Sequence, residues 1–185
     1  MRTLLRGGQI LDGAGAPAYR GDVRLNGDKI EAVGALSPLP DEQVIDVSGC
    51  VVCPAFVDMH RHMDARPLLG DDMAVELRQG IATTAVGNCG FSLAPYGDAF
   101  AAEKRENDAP ILGRYPESFR FQFPEYLNAL EHSAPGMNLA ALIGLGAVRI
   151  SLTGFSDAPL SSSALNAARG MLQDALDAGA DDYLT

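Results

Sequence analysis

A chain of 185 residues, 47% hydrophobic and 21% charged, is large and apolar enough to fold and does not have a disordered composition. Its formal net charge of −10 argues against a nucleic-acid partner or an anionic membrane surface, because both are bound through basic patches. No segment approaches the roughly 20 apolar residues of a membrane span, and the start lacks the apolar core of a secretory signal. We therefore expect a soluble, cytoplasmic protein.

Residues 1–50 have the pattern of short strands joined by turns. The dipeptide Asn26-Gly27 lies between alternating apolar positions, such as Val23 and Leu25 before it and Ile30 after it. This dipeptide tolerates positive φ at both central positions of a tight turn, so it predicts a β-hairpin. The region is expected to form a small β unit.

Cys50 and Cys53 form a C-x-x-C pair, which is typical of redox motifs and zinc knuckles. The chain has three cysteines in all, so it has no second such pair to complete a four-sulfur site and no disulfide framework. The segment SGCVVCPAFVD has the composition of a strand, in which positions i and i+3 point to opposite faces. We expect two ordinary buried cysteines there.

From residue 51 onward, predicted strands alternate with predicted helices. The strands are VVCPAFVDMH, IATTAVGNC and NLAALIGLG; the helices are DDMAVELRQ, a segment opened by Pro124, and residues 162–178. A long loop is expected between the second strand and the Pro124 helix. This alternation predicts a parallel α/β sheet.

The last predicted helix carries an apolar stripe at helical spacing, with Gly179 placed to cap its carboxyl end. The stripe consists of Ala164, Leu165, Ala168, Met171, Leu172, Ala175 and Leu176. A fourth strand is expected to begin within the final residues, GADDYLT. A closed (β/α)₈ barrel needs about 250 residues, and an open parallel sheet has aggregation-prone edges. We therefore expect another polypeptide to complete the sheet.

His60-Arg61-His62 ends the predicted strand FVDMHRHMD. Residues i and i+2 of a strand project to the same face, so the two imidazoles should converge. Metal and substrate are held at the carboxyl ends of barrel strands, where this pair lies. The alternative interpretation is a pair of surface histidines without a ligand.

Cys89 lies at the end of the next predicted strand, hence at the same edge of the sheet as the histidine pair. A thiolate close to a divalent cation is a strong ligand, and two imidazoles with one thiolate suit zinc. Gly87 and Gly90 flank the cysteine and would let the backbone bend close to a metal or substrate. Taken alone, a cysteine such as Cys89 is more often a small core residue than a ligand.

Three segments, PAFVDMHRHMD, GIATTAVGNCGFSLAP and NLAALIGLGAVRI, resemble the N-terminal third of the N-acyl-D-amino acid deacylase (D-aminoacylase) branch of the amidohydrolase superfamily. The resemblance covers essentially the whole chain. It implies the N-terminal strands of a small β-sandwich domain at 1–50, then the first three to four βα units of a TIM-like (β/α)₈ barrel at 51–185. It also implies a zinc-dependent hydrolase that cleaves an amide C–N bond, that of an N-acyl-(D-)amino acid, by metal-activated water.

The resemblance further implies a site for one or two zinc ions. His60 and His62 would bind the more buried metal position, and Cys89 would occupy the place where many relatives use a carboxylated lysine. Asp64 would be a supporting residue. The remaining ligands and the general base would come from a complementary C-terminal half, as a second subunit or a cleaved chain.

Two further positions bear on this interpretation. His132 lies near the end of the Pro124 helix and is expected to have a capping or surface role, because helices lie outside a barrel. Leu145 stands where many deacylases carry a polar residue, so the substrate class stays open.

Two alternatives remain. A cyclic amide hydrolase of the dihydroorotase or hydantoinase type is disfavoured by Cys89, because those relatives usually place a lysine there. Outside the enzymes, the chain would be a non-catalytic scaffold subunit or an inactive fragment.

Overall fold

The computed structural model describes residues 1–180 and the backbone of residues 182–184. The chain divides into two compact units, residues 1–55 and 56–185. No helix within the described residues has the length and apolar character needed to cross a bilayer.

The first unit is a five-stranded sheet. Its strands are β1 (Arg2–Ile10), β2 (Tyr19–Asn26), β3 (Lys29–Gly34), β4 (Gln43–Asp46) and β5 (Val51–Val52). The order is β3-β2-β1-β4, and β5 pairs with β1 further along the same edge as β4, both in parallel. Its buried apolar side chains are few, Leu4, Ile10 and Val23.

The predicted hairpin is confirmed, but its turn is displaced by one residue. Asn26 pairs with Lys29, so the central residues are Gly27 and Asp28. Gly27 has φ +62°, whereas Asp28 keeps a negative φ. The turn therefore needs glycine at its first central position only, which is the pattern of a type II′ turn.

The prediction of buried Cys50 and Cys53 in one continuous strand is wrong, because both residues are exposed. Cys50 closes a tight turn, in which its N–H donates to the carbonyl of Val47 (2.9 Å). In this segment, only Val51 and Val52 pair with β1. Pro54 follows two residues later and has no N–H to continue the ladder. The next strand starts at Phe56, in the second unit.

The second unit contains a parallel sheet of four strands in the order β6-β7-β8-β9, which confirms the predicted parallel α/β arrangement. The strands are β6 (Phe56–Asp58), β7 (Ile81–Val86), β8 (Asn138–Gly144) and β9 (Asp182–Leu184). The helices are α1 (Ala74–Arg78), α2 (Ala101–Leu112), α3 (Phe123–Ser133), α4 (Leu145–Thr153) and α5 (Ser162–Asp177). The expected fourth strand is therefore present as β9.

Two helices were not predicted. Helix α2 occupies part of the expected long loop, because its buried side includes Lys104 and Asp108 rather than an apolar stripe, and it contains Pro110. Helix α4 begins directly at the end of β8, where the unbroken apolar sequence gives no change of period to mark the transition.

The predicted helix at the carboxyl end is confirmed as α5, although its stripe is narrower than expected. Ser161 caps its first turn by accepting from the N–H of Ala164 (3.2 Å), and Gly179 follows the last turn with φ +103°. Ala168 and Ala175 are buried, whereas Leu165 and Leu176 are exposed. Small residues therefore make the closest approach to the core.

Candidate metal centre

The histidine pair lies just beyond β6 rather than within it. The strand ends at Asp58, but the N–H of Arg61 donates to the carbonyl of Ala85 in β7 (3.3 Å), so the ladder continues irregularly. The rings of His60 and His62 are 5.5 Å apart between centroids, at an interplanar angle of 79°. The convergence expected from i, i+2 spacing is therefore present.

Cys89 lies three residues beyond β7 in a tight turn. The backbone is in the left-handed region at Gly87 (φ +86°), at Cys89 itself (φ +57°) and at Gly90 (φ +74°). A Cβ at Gly87 would lie 2.0 Å from the carbonyl oxygen of Leu142, so only glycine fits there. A non-glycine residue in this region is uncommon and often marks a functional site.

Asn88, which sequence reasoning did not single out, joins the two segments. It is buried, and its side-chain amide donates to the carbonyls of Arg61 (3.2 Å) and Ala85 (2.9 Å). Arg61 stands between the two histidines and Asn88 directly precedes Cys89. The only sequence signal was a polar residue enclosed by turn glycines after a buried strand.

The structure brings His60, His62 and Cys89 together. One donor atom from each lies within 4.8 Å of the other two, and His60 Nε2 is 3.1 Å from Cys89 Sγ. Zinc binds nitrogen at about 2.0–2.1 Å and sulfur at about 2.3 Å, so donors of one ion lie roughly 3–4 Å apart. The buried Nδ1 of His62 has no hydrogen-bond partner among the described residues. This donor set fits zinc.

The surroundings of His62 favour its metal-binding form. Burial, and to a smaller extent the nearby His60, lower the pKa of His62. A lowered pKa favours the neutral imidazole, which is the form that binds a metal.

Asp64 lies outside this cluster of three. It is buried, and neither carboxylate oxygen has a partner in hydrogen-bonding geometry in the described part of the chain. Burial raises the pKa of Asp64 to about 7, against smaller opposing effects of the backbone amides of Asp64 and Gly87 and the charge of Lys104. The hydroxyl of Tyr126 donates to the backbone carbonyl of Asp64 (3.0 Å), which fixes the chain just after the histidine pair.

A buried carboxylate anchors the histidine segment from α1. Glu76 accepts from Arg61 (2.6 Å) and from Arg66 (2.7 Å), and Arg66 also pairs with Asp71. The hydrogen bond from Arg66 is the main reason that the pKa of Glu76 is lowered. Because Arg61 lies between the two histidines, its ion pair with Glu76 restrains the segment that carries them.

His132 takes the surface role expected for it. The residue is exposed near the end of α3, where its Nδ1 lies 2.7 Å from the carbonyl oxygen of Asn128.

Comparison with known proteins identifies the family. Residues 43–185 match the model of the amidohydrolase family. The D-aminoacylase of Alcaligenes xylosoxydans xylosoxydans is 35% identical over 180 residues, which cover 96% of this chain and 36% of that protein. A D-aminoacylase structure described for its binuclear metal centre superimposes with a TM-score of 0.87 at 36% identity, over 98% of this chain and 37% of that one.

A second structure has a phosphonate inhibitor and zinc. It is an N-acyl-D-glutamate deacylase from Bordetella bronchiseptica, with a TM-score of 0.82 at 34% identity over 98% of this chain and 37% of that one. The chain belongs to the amidohydrolase family, and the predicted resemblance to the D-aminoacylase branch is confirmed. It spans about 36% of the length of the D-aminoacylase it matches.

We predict that Asn88→Ala destabilises the protein, purified together with any polypeptide that it needs for solubility, by about 2 kcal/mol, because the buried Ala85 carbonyl and the part-buried Arg61 carbonyl lose their donor. Denaturant titration followed by circular dichroism measures this. Asn138→Ala is the matched control, since the exposed Asn138 amide also links neighbouring strand residues, at 3.3 Å. Equal effects of the two changes would contradict a special role for Asn88.

We predict that Glu76→Gln destabilises the protein by about 2–4 kcal/mol at neutral pH, because two guanidinium groups lose a buried partner. The matched control is Glu117→Gln, which breaks an exposed pair with Arg105 and should cost less than about 1 kcal/mol.

The pH dependence of this effect follows from the lowered pKa of Glu76. The contribution of Glu76 is fully present above its ordinary value of 4.5 and is lost as pH falls from there through the folded-state pKa. The difference in stability between the wild type and Glu76→Gln should therefore shrink on acidification. A difference that stays constant down to strongly acidic pH would exclude this ion pair as its cause.

Proposed function

We propose that this chain supplies the metal-ligating N-terminal part of a zinc-dependent amidohydrolase that cleaves the amide C–N bond of an N-acyl-D-amino acid. The observation that carries the proposal is the convergence of His60, His62 and Cys89 at one edge of a parallel sheet. The similarity to D-aminoacylase and to N-acyl-D-glutamate deacylase supports the substrate class.

His60, His62 and Cys89 would hold one or two zinc ions. Zinc bound there would supply a Lewis acid and an activated water for amide hydrolysis. The chain's own residues bind and orient: Asn88 fixes the distance between the two ligand segments, and Glu76 restrains the histidine segment through Arg61. The supporting role of Asp64 belongs to the same proposal and is consistent with its burial beside this segment.

Further polypeptide would complete a (β/α)₈ barrel and supply the general base. Strand β6 pairs with β7 along one edge, and no other described strand pairs with it. Phe56, Val57 and Met59 are 60%, 58% and 65% exposed, although barrel strands are normally covered on both faces. This apolar strand is where we propose that a complementary C-terminal half, as a second subunit or a cleaved chain, joins the sheet.

Zinc content tests the ligand assignment. In the complete enzyme, Cys89→Ala should lower bound zinc and abolish hydrolysis of N-acetyl-D-amino acids, because one of the donors is lost. Cys53→Ala is the matched control, since Cys53 is an exposed cysteine outside the cluster. Elemental analysis by mass spectrometry and amine release from both enantiomers are the measurements.

Equal zinc in the two cysteine variants would remove Cys89 from the ligand set. A zinc-free wild-type protein without hydrolase activity would favour the scaffold alternative.

Co-expression tests the completion of the barrel. We expect the chain expressed alone to be insoluble or inactive, because the apolar strand β6 lacks its neighbour. Co-expression with the complementary half should give a soluble, zinc-containing hydrolase, measured by gel filtration with activity assays of the fractions. A stable and active monomer of 19.5 kDa would contradict the proposal.

A further inference from the structure

A cleft of about 240 Å³ opens beside the candidate metal centre. Its walls come from the turn after β7 and from helices α2 and α4. Its lining residues are Cys89, Gly90, Phe91, Asn107, Asp108, Gly146, Ala147, Ile150 and Phe155. We call it the Cys89 cleft. Sites that enclose a whole drug-sized ligand measure roughly 300–1,000 Å³, so this cleft fits one substituent of a ligand.

The Cys89 cleft is continuous with the metal centre through two residues. Cys89 belongs to both, with its Sγ 3.1 Å from His60 Nε2. Phe91 lines the cleft, and its ring also meets the His62 ring edge-on, at 6.1 Å between centroids. A molecule that reacts at the metal centre is therefore placed to extend a group into the cleft.

The chemistry of the walls selects for a neutral, apolar group. Phe91, Ala147, Ile150 and Phe155 provide hydrocarbon surface. The lining contains no lysine, arginine or histidine, and its polar side chains are those of Asn107 and of the buried, acidic Asp108. Transfer of a second carboxylate into such a place without a cation costs several kcal/mol.

Asp108 is held by hydrogen bonds from two side chains that do not line the cleft. It accepts from Lys104 Nζ (2.5 Å) and from the hydroxyl of Tyr115 (2.7 Å). Lys104 also donates to the carbonyl of Ser92 (2.8 Å), which ties α2 to the chain that follows Cys89. Lys104 is buried, its charge is paired with Asp108, and it does not line the cleft, so it is not placed to receive an anion there.

Helix α4 forms the opposite wall at close range. A Cβ at Gly144 or Gly146 would lie 2.5 Å or 2.7 Å from the carbonyl oxygen of Gly90. These glycines let the start of α4 approach the turn that carries Cys89, which brings Ala147 and Ile150 to the cleft. Both walls are thus fixed by contacts within this chain.

We propose that the Cys89 cleft is the specificity pocket of the enzyme and receives the neutral, apolar substituent of the amide substrate. This inference rests on the proposed function. The substituent is either the acyl chain or the amino-acid side chain, two sources of the same chemistry. A carboxylate-bearing substituent is disfavoured at this position.

The test compares substrates in the complete, zinc-loaded enzyme. The side-chain series compares N-acetyl-D-leucine with N-acetylglycine. The acyl series compares N-hexanoylglycine with N-acetylglycine. Ile150→Phe fills the cleft and should lower kcat/KM for the larger member of one series by about tenfold, with N-acetylglycine changed by less than about threefold. The series that responds identifies the source of the substituent.

Ile111→Phe is the matched control, because Ile111 is a partly exposed isoleucine on α2 that does not line the cleft. Ile150→Ala enlarges the cleft and keeps the test valid if Ile150→Phe does not fold. It should shift the preference toward N-acetyl-D-phenylalanine if the side chain occupies the cleft, or toward N-hexanoylglycine if the acyl group does. If the side-chain series responds, wild-type enzyme should also hydrolyse N-acetyl-D-leucine at least about tenfold better than N-acetyl-D-glutamate.

Three outcomes would overturn the proposal while leaving the proposed function intact. They are equal effects of Ile150→Phe and Ile111→Phe, a uniform loss on all substrates in both Ile150 variants, and a wild-type preference for the glutamate derivative in an enzyme whose side-chain series responds to Ile150→Phe. Failure of the wild-type enzyme to hydrolyse any N-acyl amino acid would instead contradict the proposed function itself.

Discussion

One buried side-chain amide sets the distance between the two segments that carry the candidate ligands. Asn88 donates to the carbonyls of Arg61 and Ala85, and it directly precedes Cys89. The turn has little freedom to rearrange, because the backbone is left-handed at Gly87 and Cys89 and a Cβ at Gly87 would meet the Leu142 carbonyl. The thiol is therefore held beside the imidazoles by interactions that do not depend on an ion, as a preorganised metal site requires.

Buried charges restrain each segment separately. Glu76 holds the histidine segment through Arg61, and the Lys104–Asp108 pair holds the chain after Cys89 through the Ser92 carbonyl. Such pairs add little net stability compared with apolar residues of the same volume, because desolvation offsets their attraction. Removing one partner is costly, however, so the pairs make alternative arrangements of the donors unfavourable.

Sequence patterns predicted the parts of the structure that follow an apolar run or a regular period. Strand β8 follows from its nearly unbroken apolar run, which suits a strand covered on both faces, and the convergence of His60 with His62 follows from the period of two along a strand. The patterns failed where charged side chains are buried and where cysteines are exposed. Helix α2 buries Lys104 and Asp108, and Cys50 and Cys53 are exposed where the chain leaves one sheet for the next. Asn88 gave only a weak signal and Glu76 gave none, because their partners Arg61 and Arg66 are distant in sequence.

The two helices that periodicity missed are also the ones that line the Cys89 cleft. Helix α2 contributes polar residues at buried positions, and α4 starts without a linker because Gly144 and Gly146 permit its close approach to Gly90. Local departures from regular patterning are expected where a surface is shaped for a ligand rather than for the core. The metal donors lie at strand ends, whereas two walls of the cleft lie on helices inserted between strands. Substitutions in α2 and α4 can therefore alter the proposed specificity pocket while the three donors stay in place.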